Sequence, residues 1–242
     1  MSLYDNRTYR NFAPTATVAF RVTAAQSDLF IRADRDRSAE AEKALLTARH
    51  QIESYIAQHP EFATALVPLP ADPFAPPLVK AMLRAGRAAG VGPLAAVAGA
   101  VAEAVGRALA KDSAPVIVEN GGDCWLQLTD ELTVGLVAGD SPFSGRIGLK
   151  IAAAQTPGAL CTSSGTVGHS YSAGQADAVT IYARDAALAD AAATAVANRV
   201  RTAADVDAAL AFAQTIAGVA GACIVIHDKL GIWGELALVK LP

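Results

Sequence analysis

A strand that runs straight into an alanine-dominated helix constrains this chain more than any other stretch. From Asp177 to Ala183 the residues alternate, with Ala178, Thr180 and Tyr182 opposing Val179, Ile181 and Ala183. Alternation with β-branched residues predicts a strand. A short turn at Arg184 and Asp185 leads into a helix from about Ala187. Its polar residues Asp190, Thr194 and Asn198 are spaced four apart, so they fall on one line of one face. The residues around that line are mostly alanine, small enough for a ligand or a second backbone to come close. Asp and Thr weaken a helix interior because they compete with the backbone for hydrogen bonds. The line therefore reads either as solvated and capping residues or as a binding line.

The stretch before the strand favours binding. Thr162, Ser163, Ser164, Gly165, Thr166, Gly168, His169 and Ser170 form a hydroxyl-rich, glycine-broken run, expected to be a loop. Free backbone N–H groups and clustered hydroxyls bind phosphate oxygens without a cation. Asp and Thr oxygens are hard ligands for Mg²⁺, which takes one or two carboxylates when phosphate and water complete its shell. A phosphate-accepting loop followed by a one-carboxylate helix is the composition of a Mg-nucleotide site.

These residues also carry a family resemblance. The run from Thr162 to Gly165, then His169, then DAVTIYARDAALADAAATA resembles the C-terminal signature of the ApbE-type flavin transferases. The match is closer still to a smaller ApbE-related group, in which YDNRTYR and VENGGD also fit. The resemblance implies FAD and Mg²⁺ as ligands and FMN transfer through a phosphoester to a Thr or Ser of an acceptor protein. Hydrolysis of FAD, as a pyrophosphatase, is the alternative reaction it implies. It assigns Asp190 and Thr194 as metal ligands, with a backbone carbonyl from Gly92. It sets Asn120, Gly121, Gly122 and Asp123, and Ser163, Ser164, Gly165 and His169, against the flavin or its phosphates. His169 is the candidate catalytic residue. By composition alone Glu119 to Asp123 is either a plain turn or a second site loop, since paired glycines permit positive φ and close approach.

The sequence departs from the family where charge is needed. Pro93 stands where the family has a lysine and Ala98 where it has an aspartate, in GVGPLAAVAG. The SYSAG after His169 replaces the usual Asp-Pro-containing run. Oxygens survive and charged handles do not, which favours flavin or adenine-nucleotide binding over transfer. A hydrolase using Ser164 or Cys161 with His169 is a weaker reading, because no GxSxG elbow is present.

The rest of the chain supplies the scaffold. Thr15 to Thr23 and Asp28 to Ala33 alternate as a hairpin, and Ser38 is placed to cap a helix that runs to about Ala57. Pro68, Pro70, Pro73, Pro76 and Pro77 make a rigid connector, followed by helices Pro77 to Ala89 and Leu94 to Ala110. The glycines of the second, Gly99 and Gly106, each cost about 1 kcal/mol of helix propensity, so close packing is expected there. Strands follow at Ala114 to Glu119, Cys124 to Leu128, Leu132 to Ala138 and Arg146 to Ala152. A helix from Asp205 and strands at Gly221 to His227 and Trp233 to Val239 close the chain. The order shows no regular βαβ repeat, so the expected class is α+β with largely antiparallel sheets. The resemblance adds a duplicated sheet-plus-helices architecture, T-fold-like.

With 242 residues, 52% of them hydrophobic, the chain can build one domain over 1–242 or two closely packed lobes. Scattered Lys and Arg and a net charge of −3 make nucleic acid an unexpected partner. The three cysteines are odd in number and lack CxxC spacing, which disfavours zinc and a disulfide framework. The polar opening MSLYDNRTYRNF and the lack of a long apolar run predict a cytoplasmic protein off the membrane. Low charge and high alanine content predict a homodimer.

Overall fold

The computed structural model describes residues 17–165 and 173–241. β1 (Val18–Ala24) and β2 (Ser27–Ala33) form the expected hairpin, with Val18 opposite Ala33 and Ala24 opposite Ser27. β3 (Val116–Asn120) and β4 (Asp123–Gln127) form a second one, in which Asn120 faces Asp123. Gly121 (φ 68) and Gly122 (φ 108) are its two central residues. Positive φ at both central positions is the type I′ pattern that matches strand twist, which is why two glycines stand there.

Among the described residues, eight strands form an antiparallel sheet in the order β1-β2-β3-β4-β7-β8-β9-β10. Its later members are β7 (Gly158–Ser163), β8 (Ala178–Ala183), β9 (Val219–Ile226) and β10 (Lys229–Gly234). A three-stranded sheet has the order β11-β6-β5, from β5 (Leu132–Gly135), β6 (Ile147–Ile151) and β11 (Ala237–Lys240). The small sheet packs its Leu149 and Ile151 against Leu126, Leu160 and Tyr182 of the large one. This is the α+β, largely antiparallel architecture expected.

Helices cover the other face: α1 (Ser38–Gln58), the single turn α2 (Glu61–Thr64), α3 (Pro77–Ala89), α4 (Val97–Leu109), α5 (Ala186–Ala197) and α6 (Val206–Thr215). A 3₁₀ turn at Pro93–Ala96 leads into α4. α5 has ten buried residues, eight of them alanine, and it lies against β7, β8, α3 and α4. Larger side chains on that helix would overpack the layer, which typically costs about 1–3 kcal/mol. Among the described residues no single helix is long and apolar enough to cross a membrane. The bent apolar pair α3 and Pro93–Leu109 carries core residues such as Met82, Val101 and Val105.

Three local expectations are corrected. The run opening at Cys161 is strand β7 as far as Ser163, not loop. It is covered on both sides, Cys161 by the helices and Leu160 by the small sheet. A strand buried on both faces has no polar alternation to reveal it. The last expected strand divides between two sheets at Gly234 (φ 84), where a Cβ would sit 2.1 Å from Ala220 O. Ser38 does not cap α1; it is the first helical residue, and its N–H donates to Asp36 Oδ1 at 2.8 Å.

Candidate functional site

Side-chain parity along the sheet brings one set of polar groups to its helix-covered face. Residues opposite each other in a ladder share a face, so Asn120 and Asp123 point the same way. Asn120 Nδ2 donates to Ala98 O at 3.0 Å, which locates that face beneath the start of α4. Asp123 Oδ1 accepts from Thr162 N at 3.0 Å, which ties the β3–β4 turn to β7. Cys161, on the same face, donates to Ala186 O at 3.6 Å. The Ser163 hydroxyl, two residues further on, is buried and has no hydrogen-bond partner among the described residues.

Above the sheet the first turns of α4 and α5 are joined. Gly99 N donates to Asp190 Oδ2 at 2.9 Å, and Ala186 N donates to Glu103 Oε2 at 2.7 Å. Each helix thus supplies a carboxylate to N–H groups near the other's start, where four donors lack an intrahelical partner. Gly99 permits this approach, because a Cβ there would lie 2.3 Å from Ala186 O and 2.9 Å from Asp190 Cβ. Asp185 caps its own helix through Leu188 N and pairs with Arg84 at the surface.

The electrostatics are those of two acids held in a dry place. Burial, and then the charge of Asp190, push the Asp123 carboxyl well above the usual carboxylate range. Burial pushes the half-buried Asp190 up to about 7, against the opposing pull of the Gly99 and Ala98 N–H groups. Burial, followed by the charges of Asp123 and Asp190, raises the Cys161 thiol. A thiol held protonated is a poor nucleophile, which counts against the Cys161 hydrolase. Two carboxylates facing each other are relieved by a divalent cation, and hard oxygen donors suit Mg²⁺. The donor set therefore fits the metal that the resemblance implies.

The other expected residues spread along α5. Thr194 is one helical turn beyond Asp190, and Asn198 ends the helix with its Oδ1 accepting from Ala173 N at 2.8 Å. Gly165 N donates to Ala176 O, and Gly174 lies so close to Ala197 that a Cβ would fall 1.9 Å from its carbonyl oxygen. Ser164 Oγ reaches Ala176 O at 3.5 Å. Ser164 and Gly165 thus belong with the C-terminal end of α5, and Asn120 and Asp123 with its first half. Gly121 and Gly122 form the hairpin turn, where Gly122 N donates to Glu119 Oε1 at 2.9 Å. Gly92 packs against Ala65, its N–H donates to Leu66 O, and its carbonyl accepts from Ala95 N at 3.2 Å. His169 lies outside the described residues.

Glu103 and the Ala98–Gly99 backbone were not anticipated as parts of this site, and Cys161 was weighed only as a hydrolase nucleophile. A glycine early in a buried alanine helix was the only sign of the last, since it marks a place where another backbone comes close.

Comparison with known proteins places this geometry. A bacterial family described as "AbpE bacteria" matches residues 10–229. A UPF0280 protein of Methanopyrus kandleri is 44% identical over 90% of each chain. One of Methanocaldococcus jannaschii is 38% identical over 91% of this chain and 92% of its own. Among solved structures, the flavin transferase ApbE of Vibrio cholerae superposes with a TM-score of 0.55 at 12% identity, covering 91% of this chain and 97% of its own. The ApbE protein of Thermotoga maritima gives 0.55 at 14%, covering 90% and 96%. At that identity the likeness is one of fold, whereas the match over residues 10–229 and the archaeal relatives establish kinship. The chain therefore belongs to the AbpE bacteria family, with UPF0280 proteins among its relatives.

Proposed function

We propose that this protein binds FAD, or a related flavin or adenine nucleotide, along α5, with Mg²⁺ held at Asp190 and Thr194. The observation that carries this reading is the pair of carboxylates, buried Asp123 and half-buried Asp190, set between the β3–β4 turn and the joined starts of α4 and α5 in an ApbE fold. Asn120, Asp123 and Ser163 lie on the helix-facing side of the sheet, and Asp190 comes toward them from α5. When bound, the cation would polarise a pyrophosphate. The chain's own groups orient the ligand and exclude water from it.

Binding is favoured over FMN transfer or FAD hydrolysis. Pro93 is buried at the first position of the 3₁₀ turn and Ala98 in the first turn of α4. These positions present no charged side chain to a phosphate or an acceptor hydroxyl. Cytoplasmic residence agrees with the thiols of Cys161 and Cys223, which form no disulfide. Homodimer formation has a candidate surface in Leu66, Val67 and Phe74, which is 94% exposed.

The test is calorimetric titration of FAD, with and without Mg²⁺, on the native chain and on Asp190→Asn. Mg-dependent binding that the variant loses supports the reading. Absence of FAD binding under every condition removes it.

A further inference from the structure

β7 and α5 run alongside each other, and this fixes what lies opposite Asp190. At one end Cys161 touches Ala186 O; at the other Gly165 packs on Gly174, which packs on Ala197. Four strand residues at about 3.3 Å each span about 13 Å, and the matching helix segment spans about 16 Å at 1.5 Å per residue. Ser163, midway along this strand stretch, is therefore level with Asp190 to Thr194. It is on the helix-facing side, like Cys161, and is only 4% exposed, with a hydroxyl that has no hydrogen-bond partner among the described residues. A buried hydroxyl without a partner normally costs about 1–3 kcal/mol, so a group that satisfies it when bound is expected.

Asp123 reaches the same place from the neighbouring strand. Its Oδ1 is tied to Thr162 N, the residue before Ser163, while its charge acts on Cys161. Asn120, opposite it in the hairpin, holds Ala98 O, and the next residue, Gly99, holds Asp190. Asp123 and Asp190 are thus fastened on opposite walls of one gap, Asp123 by Thr162 N–H and Asp190 by Gly99 N–H.

Resting on the flavin reading above, the geometry points to a cation cradle shared between helix and sheet, in which Asp123 and Ser163 act with Asp190 and Thr194. The helix alone offers one carboxylate, and a cation held there would depend on phosphate to complete its shell. With two carboxylates and two hydroxyls the chain holds a divalent cation with no nucleotide present. Charge neutralisation between Asp123 and Asp190 also draws β4 and α5 together, so the cation organises the gap before the nucleotide enters.

Mn²⁺ alone is the probe, measured by the loss of its free EPR signal on the full chain without nucleotide. The native protein is expected to bind one Mn²⁺. Asp123→Asn, which keeps an acceptor for Thr162 N–H, weakens binding at least tenfold, and Ser163→Ala weakens it severalfold. On the native chain, Mn²⁺ is expected to broaden the amide NMR signals of Thr162 and Gly99 first, a readout that needs no variant. Failure of the native chain to bind Mn²⁺ at millimolar concentration overturns the cradle. So does unchanged affinity in Asp123→Asn, or broadening confined to α5. FAD binding with Mg²⁺ in the face of such a result would leave the flavin reading standing. Mn²⁺ binding without any FAD binding would remove the flavin reading and keep the cradle.

Discussion

Gly99 N–H and Asp190 Oδ2 lie 2.9 Å apart, so a carboxylate of α5 closes the first turn of α4. The residue proposed to hold a metal is thus also a structural cap, and the proposed and the structural task separate by substitution. Asp190→Asn keeps an acceptor oxygen and loses the charge; Asp190→Ala loses both. Caps contribute about 1 kcal/mol, so Ala should destabilise the chain by about that much more than Asn in urea unfolding. Equal stability of the two variants would show that the cap contributes nothing.

The pH dependence follows from the raised carboxyls. In the unfolded chain Asp123 and Asp190 lose their protons near pH 4, while in the folded chain burial holds the protons to higher pH, about 7 for Asp190. Between those values the folded state binds more protons, so stability falls as pH rises. Cys161, Glu119 and the Ala98 and Gly99 N–H groups also bear on the pair. Asp34, Asp72 and Asp205 are shifted down, and the stability they add is lost only below about pH 4. Urea midpoints from pH 4.5 to 7.5 should fall for the native chain without cation and flatten in Asp123→Asn. A native midpoint that climbs across this window, with the variant following it, would contradict the assignment.

Gly106 packs against the ring of Trp125, where a Cβ would lie 2.1 Å from Cε3. Gly106→Ala gains about 1 kcal/mol of helix propensity but overpacks the contact at about 1–3 kcal/mol. A net loss of stability is expected in chemical unfolding. A gain would mean that the ring has room to move.

Thiol labelling should follow burial and charge. Cys161 and Cys223 are buried with thiols pushed up, Cys223 to about 12. Half-buried Cys124 is expected to react first in the native state, with the other two following only on unfolding. Rapid labelling of Cys161 at neutral pH would revive it as a nucleophile.

Patterns with a visible period were legible from sequence: the β1–β2 hairpin, β8 with its inward Val179 and Ile181, and the line of Asp190, Thr194 and Asn198 on α5. Paired glycines marked the β3–β4 turn, although whether it was a plain turn stayed open. β7 was not legible, because it is buried on both faces and, unlike β8, carries no Val or Ile, which leaves a run of small and hydroxyl residues that looks like loop. That Asp190 and Asp123 belong to one site followed from the resemblance, but the hold of Asp190 on Gly99 did not. Sequence sets which residues share a face within one element, since backbone geometry fixes that period locally. Which faces meet depends on strand order and helix packing, and only the tertiary structure brings β4, β7, α4 and α5 around one gap.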